Sequence, residues 1–360
     1  MQGQEKESLL RMGLRTAWPW LSLAVPIVVA ALLVSAVSPA YARLVTDTLI
    51  KLIMVIGLYM FIGNSGLMSF GHGAFMIVGA YASAWLTIAP TFKKVILPQL
   101  PQFLQAAAFD PVTAGVIAVA LSALLAFIVG IPLMRLSGIA ASIATFAFFI
   151  VVSVIYNNWT SWTKGTASLV GLPVYVGPYT ALVAALVVLA IADMFRVSRY
   201  GLFLRATRED AVAARATGLK VEKLRLIAFV LSAAICAVGG ILWGHNNGAL
   251  TTANNVYFNL TFLTIAMLVV GGMRSMAGAV YGTILLATVS ELLRQLERGV
   301  DLGGLALKFP AGSGQVALGL CMLLVLILRP EGLTRGREIA LPRWLRPAGK
   351  AVGQESAFGK

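Results

Sequence analysis

The chain has 360 residues, of which 59% are apolar and 12% charged, with a mean hydropathy of +0.87. An ordinary globular domain carries about a quarter charged residues, so this composition excludes a soluble domain and describes a polytopic membrane protein. The formal charge of +14 would suggest nucleic acid in a soluble chain. Here the cations lie between apolar runs and near the C-terminal end, which is positive-inside patterning, and no nucleic acid partner is expected.

A charge at mid-bilayer costs roughly 2.5 to 3.5 kcal/mol on insertion scales, so long uncharged runs mark the spans. The first run, residues 20–39, follows a basic leader with Lys6, Arg11 and Arg15. Ala40-Tyr41-Ala42 resembles a signal cleavage site, but the run exceeds the usual 7 to 15 or so apolar residues of such signals, which favours a retained helix. Residues 52–92 are uncharged for 41 residues, too long for one crossing of about 20. They must fold back at Gly63-Asn64-Ser65-Gly66, which gives a second span from about Leu44 and a third over 68–86. Residues 92–110, with Lys93 and Lys94, read as a loop. The fourth and fifth spans are 111–134 and 137–156, a polar and aromatic stretch follows over 157–173, and the sixth span is 178–195.

Beyond a hydrophilic insert, residues 226–273 are uncharged for 48 residues and again need two crossings, a seventh ending near Trp243 and an eighth over 258–270, with the break within 245–255. Residues 276–293 make a ninth span and 315–328 a short tenth. The fold expected is an all-α polytopic membrane protein of about ten transmembrane helices. Its shorter runs are either tilted crossings or re-entrant segments, which only buried backbone tolerates. The divisions are a cytoplasmic segment over 1–19, a membrane domain over 20–328 with its insert at 196–225, and a basic cytoplasmic tail over 329–360. Six spans before the insert and four after place both termini and the insert on one side, where Arg135 and Arg274 also fall.

The insert carries eight cations, Arg196, Arg199, Arg205, Arg208, Arg215, Lys220, Lys223 and Arg225, and three acids, Glu209, Asp210 and Glu222. Thr207 three residues before Asp210 reads as a capping box, Glu209 and Asp210 suit a positive helix end, and Gly218 can close the helix. A helix of about three turns is expected, shallow because Ala211, Val212, Ala213, Ala214 and Ala216 are small. It is either a docking surface for another protein or a solvated connector. Two segments look alike, the Gly63 to Gly66 break leading to Gly71 and Gly79, and Gly271-Gly272 leading to Gly278 and Gly282. Paired Gly-rich breaks in two halves of a transporter point to the transport path.

No GxxxxGK[ST] run is present, so the chain cannot cradle ATP phosphates by that route. His72 and His245 are the only histidines, and without an HExxH pattern or a Cys/His cluster no metal site is expected. A hydrogen-bonded structural histidine is the plain reading of each, with His72 the better candidate for a path lining. Cys236 and Cys321 lie in apolar runs and read as small core residues. Asp47 and Lys51, and likewise Glu291 and Arg294, are spaced to pair on one helix face. No ladder of acids for a proton relay is visible.

Four blocks resemble the membrane permeases of branched-chain amino-acid ABC importers, LivM type. Residues 57–84 carry an SxGHxAFxxxGAY signature as Ser69, Gly71, His72, Ala74, Phe75, Gly79, Ala80 and Tyr81. The stretch NNWTSWTKGTASLVGLP occupies 157–173, and RATREDAVAARATGLKVEKLRLIAF occupies 205–229. VVGGMRSMAGAVYGTILL at 269–286 is joined by LRPEGL at 328–333. The resemblance implies a non-catalytic permease subunit in a bacterial inner membrane, with no cofactor of its own. It further implies a second homologous permease, two cytoplasmic ATPases that bind the ATP, and a periplasmic substrate-binding protein. ATPase coupling would fall to Arg208, Glu209, Asp210, Ala213, Ala214 and Gly218, and the translocation path to Asn64, Ser69, His72, Phe75, Gly271 and Gly272. Two departures are visible. Val212 replaces the Glu of the docking motif found in many importers, and LSGIAASIAT at 136–145 lacks the family's Arg and Tyr. A permease for urea or another small polar solute, and a channel or secondary carrier acting alone, are the alternatives.

Overall fold

A computed structural model describes residues 2–252, 256–298, 300–302, 305–307, 310, 312–329, 331–336 and 338–339. In chain order the helices are α1 (Gln2–Ser35), α2 (Pro39–Ser65), α3 (His72–Thr87), α4 (Pro90–Ile96), α5 (Gln102–Ala106), α6 (Pro111–Leu133), α7 (Gly138–Asn158) and α8 (Thr160–Thr163). They continue with α9 (Pro178–Val197), α10 (Arg199–Glu209), α11 (Ala211–Ala216), α12 (Val221–Asn247), α13 (Val256–Gly271), α14 (Met276–Arg298) and α15 (Ser313–Leu328). Two short antiparallel ladders interrupt them. β1 (Leu169–Val170) pairs with β2 (Ala249–Leu250), Leu169 opposite Leu250, and β3 (Val300–Leu302) pairs with β4 (Leu305–Leu307).

Among the described residues seven helices are long and apolar enough to cross a membrane, and eight if α3 and α4, bent by 118° at their junction, count as one span. This is a multi-pass membrane protein, with fewer full-length spans than the ten expected. The shortfall has a local cause at α3. Gly66 adopts φ +73, a conformation that closes α2, and residues 66–70 run on without helix. The expected third span is thereby cut to 16 residues, which at about 1.5 Å per residue falls short of a hydrocarbon core of about 30 Å. Helices α13 and α15, the expected eighth and tenth spans, also have 16 residues each.

The core is built around α2 and α12. From Leu49 to Ser65, α2 is almost continuously buried, because α9, α12, α13 and α14 all pack on it. Lipid supplies no hydrophobic drive between helices, so close backbone approach through small residues must hold them together. A Cβ on Gly57 would lie 2.8 Å from Cys236 Sγ, and one on Gly240 would lie 2.2 Å from the Met76 carbonyl oxygen. Ser232 Oγ donates to the Gly57 carbonyl at 2.5 Å. On α6 the buried residues Ala114, Ala118, Ser122, Ala126 and Gly130 recur every fourth position, one small-residue stripe facing α3 and α12. Its other faces expose Val112, Val116, Leu124, Phe127 and Ile128, as a lipid-facing surface should.

The stretch 92–110, expected as a loop, contains most of α4 and all of α5. Lys93, within that expected loop, is completely buried. Its Nζ donates to the carbonyls of Trp85 and Leu104 at 2.8 Å each, and to that of Ala107. The ammonium thus satisfies one carbonyl in the last turn of α3 and two at the end of α5, where helical partners run out. Cys236 is buried as expected, whereas Cys321 is half-buried. Lys51 Nζ meets Asp47 Oδ2 at 2.9 Å, and Arg294 Nε donates to Glu291 Oε2 at 2.9 Å, so both expected pairs form.

Candidate functional site

Helix α10 starts at Ser198, whose hydroxyl accepts from the Gly201 amide at 3.2 Å, and buries Gly201, Leu204 and Thr207. Thr207 does not cap a new helix. Its Oγ1 donates to the Leu204 carbonyl at 2.7 Å, because α10 already carries the backbone through Glu209. The cap falls on Asp210, which has φ −149 and accepts on Oδ1 from the Val212 amide at 2.8 Å and the Ala213 amide at 3.0 Å. Those amides hold its carboxyl below the usual range. The helix that follows, α11, has six residues rather than about three turns. It closes at Gly218, where φ is +84 and the Leu219 amide donates to the Ala214 carbonyl at 3.2 Å. Ala214 is turned inward, while Glu209, Asp210, Val212, Ala213, Ala216 and Gly218 stay exposed, forming a shallow outer face.

The insert is tied to the first Gly-rich break. Arg208 Nη1 donates to the Gly63 carbonyl at 2.6 Å, and its Nη2 pairs with Glu209 Oε1 at 2.7 Å. The guanidinium holds the Glu209 carboxyl below its ordinary range. The Arg208 stem crosses Gly66 so closely that a Cβ there would lie 2.5 Å from Cγ. Arg205 Nη1 reaches Asn64 Oδ1 at 3.5 Å, and Asn64 Nδ2 donates to the Met60 carbonyl at 2.9 Å.

The second break lies against the first. A Cβ on Gly63 would come within 2.6 Å of the Met273 carbonyl oxygen. Gly272 has φ +116, and the chain beyond α15 straps this turn. The Leu333 amide donates to the Val270 carbonyl at 2.9 Å, and the Thr334 amide and hydroxyl donate to the Gly271 carbonyl at 3.1 and 3.0 Å. Glu338 then caps α14, accepting from the Met276 amide at 2.8 Å and the Ala277 amide at 3.3 Å, and Arg196 stands 3.5 Å from its carboxylate. The sequence marks this tail as basic and as carrying the LRPEGL block but not as a strap, and residues 340–360 of it lie outside the described residues. Glu338, an acid in a run of cations, is the signal that could have marked the strap.

Between insert and breaks lies a cavity of about 390 Å³ with Gly63, Gly66, Arg208, Arg225, Met273 and Arg274 in its lining. Of the twelve residues singled out from the sequence, Arg208 lines it; Asn64, Gly271 and Gly272 lie in the adjoining breaks. Ser69, His72 and Phe75 are buried deeper. His72 sits among Phe61, Phe75 and Phe229 with ring centroids at 5.6, 6.2 and 5.3 Å. Neither of its ring nitrogens has a side-chain or main-chain partner in hydrogen-bond geometry, and the Ser69 backbone is the polar group acting on it. His245 is held structurally at the opposite ends of α3 and α12, by Ser83 Oγ at 2.9 Å and the Pro173 carbonyl at 3.0 Å.

The arrangement is a bundle of apolar helices in which the polar insert grips the first break and the chain beyond α15 straps the second. A family model described as branched-chain amino acid transport system / permease component matches residues 40–327. The chain belongs to this family. A relative within the permease family, the high-affinity branched-chain amino acid transport system permease protein LivM of Salmonella typhimurium, is 26% identical over 356 residues, 89% of this chain and 75% of that one. LivM of Escherichia coli is 27% identical with the same coverage. A different permease protein, LivH of Salmonella typhimurium, is 32% identical over 111 residues, 31% of this chain and 35% of its own. Both breaks and the insert lie inside the stretch the family model covers.

Proposed function

We propose that this permease is the membrane subunit of an ATP-driven importer that carries branched-chain, hydrophobic amino acids into the cytoplasm. The observation that carries the reading is the grip of Arg208 on the Gly63 carbonyl, because it couples an exposed polar face directly to a break in the bundle. Two separate ATPases, which bind the ATP, would press on the face formed by Arg208, Glu209, Asp210, Ala213, Ala214 and Gly218. With α10 and α11 joined to α9 and α12, that push would tilt both helices and shift the breaks. Solute released by a periplasmic binding protein would pass between this chain and a second homologous permease, beside Asn64, Ser69, His72, Phe75, Gly271 and Gly272. The insert and both termini would then face the cytoplasm, and the chain would need no cofactor of its own.

Reconstitution tests this. Purified chain alone in liposomes should take up no leucine, whereas the assembled complex should take it up with ATP. Replacing Glu209 and Asp210 together with Lys should abolish ATPase association at unchanged expression. Leucine uptake by the chain without ATPases would refute the proposal. Because residues 136–145 lack the family's Arg and Tyr, urea or another small polar molecule is the alternative solute, against which the insert's sequence speaks for an amino acid. A binding assay on the cognate binding protein separates the two.

A further inference from the structure

We propose that the cavity between the insert and the two breaks is a binding site for a phosphate-class oxyanion. Three arginines, Arg208, Arg225 and Arg274, enter its lining, and no Asp or Glu does. Arg225 is the deciding residue. It is only 5% exposed, its Nη1 donates to the Leu136 carbonyl at 3.3 Å, and its Nε has no partner. Among the described residues it forms no ion pair. Glu222, the acid whose charge it feels, is engaged by Arg215 at 3.0 Å. A guanidinium withdrawn from water without a counter-charge is costly, unless an anion completes it.

The other groups fit the same ligand. Arg208 spends its donors on Gly63 and Glu209, so its role at the cavity is wall and field. Arg274 is exposed at the second break and lies near enough to Glu209 to influence it. Ser65 Oγ accepts from the Leu67 amide at 3.2 Å, which leaves its hydroxyl hydrogen free to donate into the cavity. Two planar guanidinium groups, each able to offer parallel N–H donors, match the oxygens of a phosphate. A free phosphate and the phosphodiester of an anionic lipid headgroup share this chemistry, and basic pockets between membrane helices take such headgroups. An occupant bridging Arg225 on α12 and Arg274 at the second break would stiffen the junction, whichever solute the bundle carries.

The test uses full-length chain in phosphatidylcholine nanodiscs, with the thermal midpoint read by tryptophan fluorescence. One arm titrates inorganic phosphate against potassium chloride at equal ionic strength. The other replaces part of the phosphatidylcholine with phosphatidylglycerol and omits phosphate. A saturable rise of the midpoint is expected in at least one arm. A response to phosphate identifies a free-anion site, and a response to phosphatidylglycerol alone identifies a headgroup site. Arg274→Gln, at an exposed position, and Arg225→Gln should each weaken the apparent affinity at least tenfold. An unchanged midpoint in both arms, or a response that both variants leave intact, overturns the assignment.

Discussion

Arg208 donates from Nη1 to the carbonyl oxygen of Gly63 at 2.6 Å, across 145 residues of chain. Gly63 lies in the last turn of α2, where carbonyls lack helical partners, so the insert completes the helix it grips. Charged hydrogen bonds of this kind contribute about 1.5 to 3 kcal/mol. Arg208→Ala should therefore lower transport by the assembled complex by about tenfold or more while the chain still inserts. Arg208→Lys should recover only part, since an ammonium cannot serve Gly63 and Glu209 with the same fork. Uptake assays on matched membranes decide it.

At Gly218 the backbone has φ +84, and a Cβ there would meet nothing within 4 Å. Any effect of substitution is thus conformational rather than steric. Gly218→Asn should be tolerated, whereas Gly218→Val should disturb the end of α11 by about 1 to 2 kcal/mol and reduce ATP-dependent uptake. Equal uptake by the two variants would contradict this account.

The Asp210 carboxyl is held below its ordinary value of 3.8 by the Ala213 and Val212 amides. A depressed folded-state value means that the stabilisation is fully present above the unfolded value and is lost as pH falls through the folded one. Protection of the Val212 and Ala213 amides should accordingly be flat from pH 7 to about 5 and decline below about pH 4. Asp210→Asn keeps an acceptor and should abolish that decline, as hydrogen exchange can show.

Gly240 meets the Met76 backbone so closely that an added Cβ would sit 2.2 Å from its carbonyl oxygen. Backbone cannot swing away as a flexible side chain can. Gly240→Ala should destabilise the α3–α12 contact by about 1 to 3 kcal/mol, seen as a lower thermal midpoint in detergent.

Glu338 caps α14 through the Met276 and Ala277 amides while facing Arg196. Glu338→Ala should cost roughly 0.5 to 2 kcal/mol and loosen the strap, so that proteolysis after α15 becomes faster. Glu338→Gln, which keeps an acceptor, should fall between wild type and Ala.

The order of apolar runs, the two breaks, the polar insert and the resemblance of its blocks were all legible in the sequence, because charge and length alone decide what can lie in lipid. The pairing of Asp47 with Lys51 followed from helical spacing. What the linear chain could not disclose was where each helix stops. Thr207 and Asp210 both suit a cap, and only the packing of Leu204 and Thr207 inside α10 passes that role to Asp210. Lys93 falls in a segment the sequence marks only as a loop, and folding brings three carbonyls around it. Thr334 and Gly271, 63 positions apart in the chain, gain their hydrogen bond only from the folded tail. Composition thus determines that this chain lives in a membrane and where it must be interrupted. The tertiary structure decides which interrupted ends meet, because in lipid every freed carbonyl and amide must find a partner within the protein, and that partner can come from any distance along the chain.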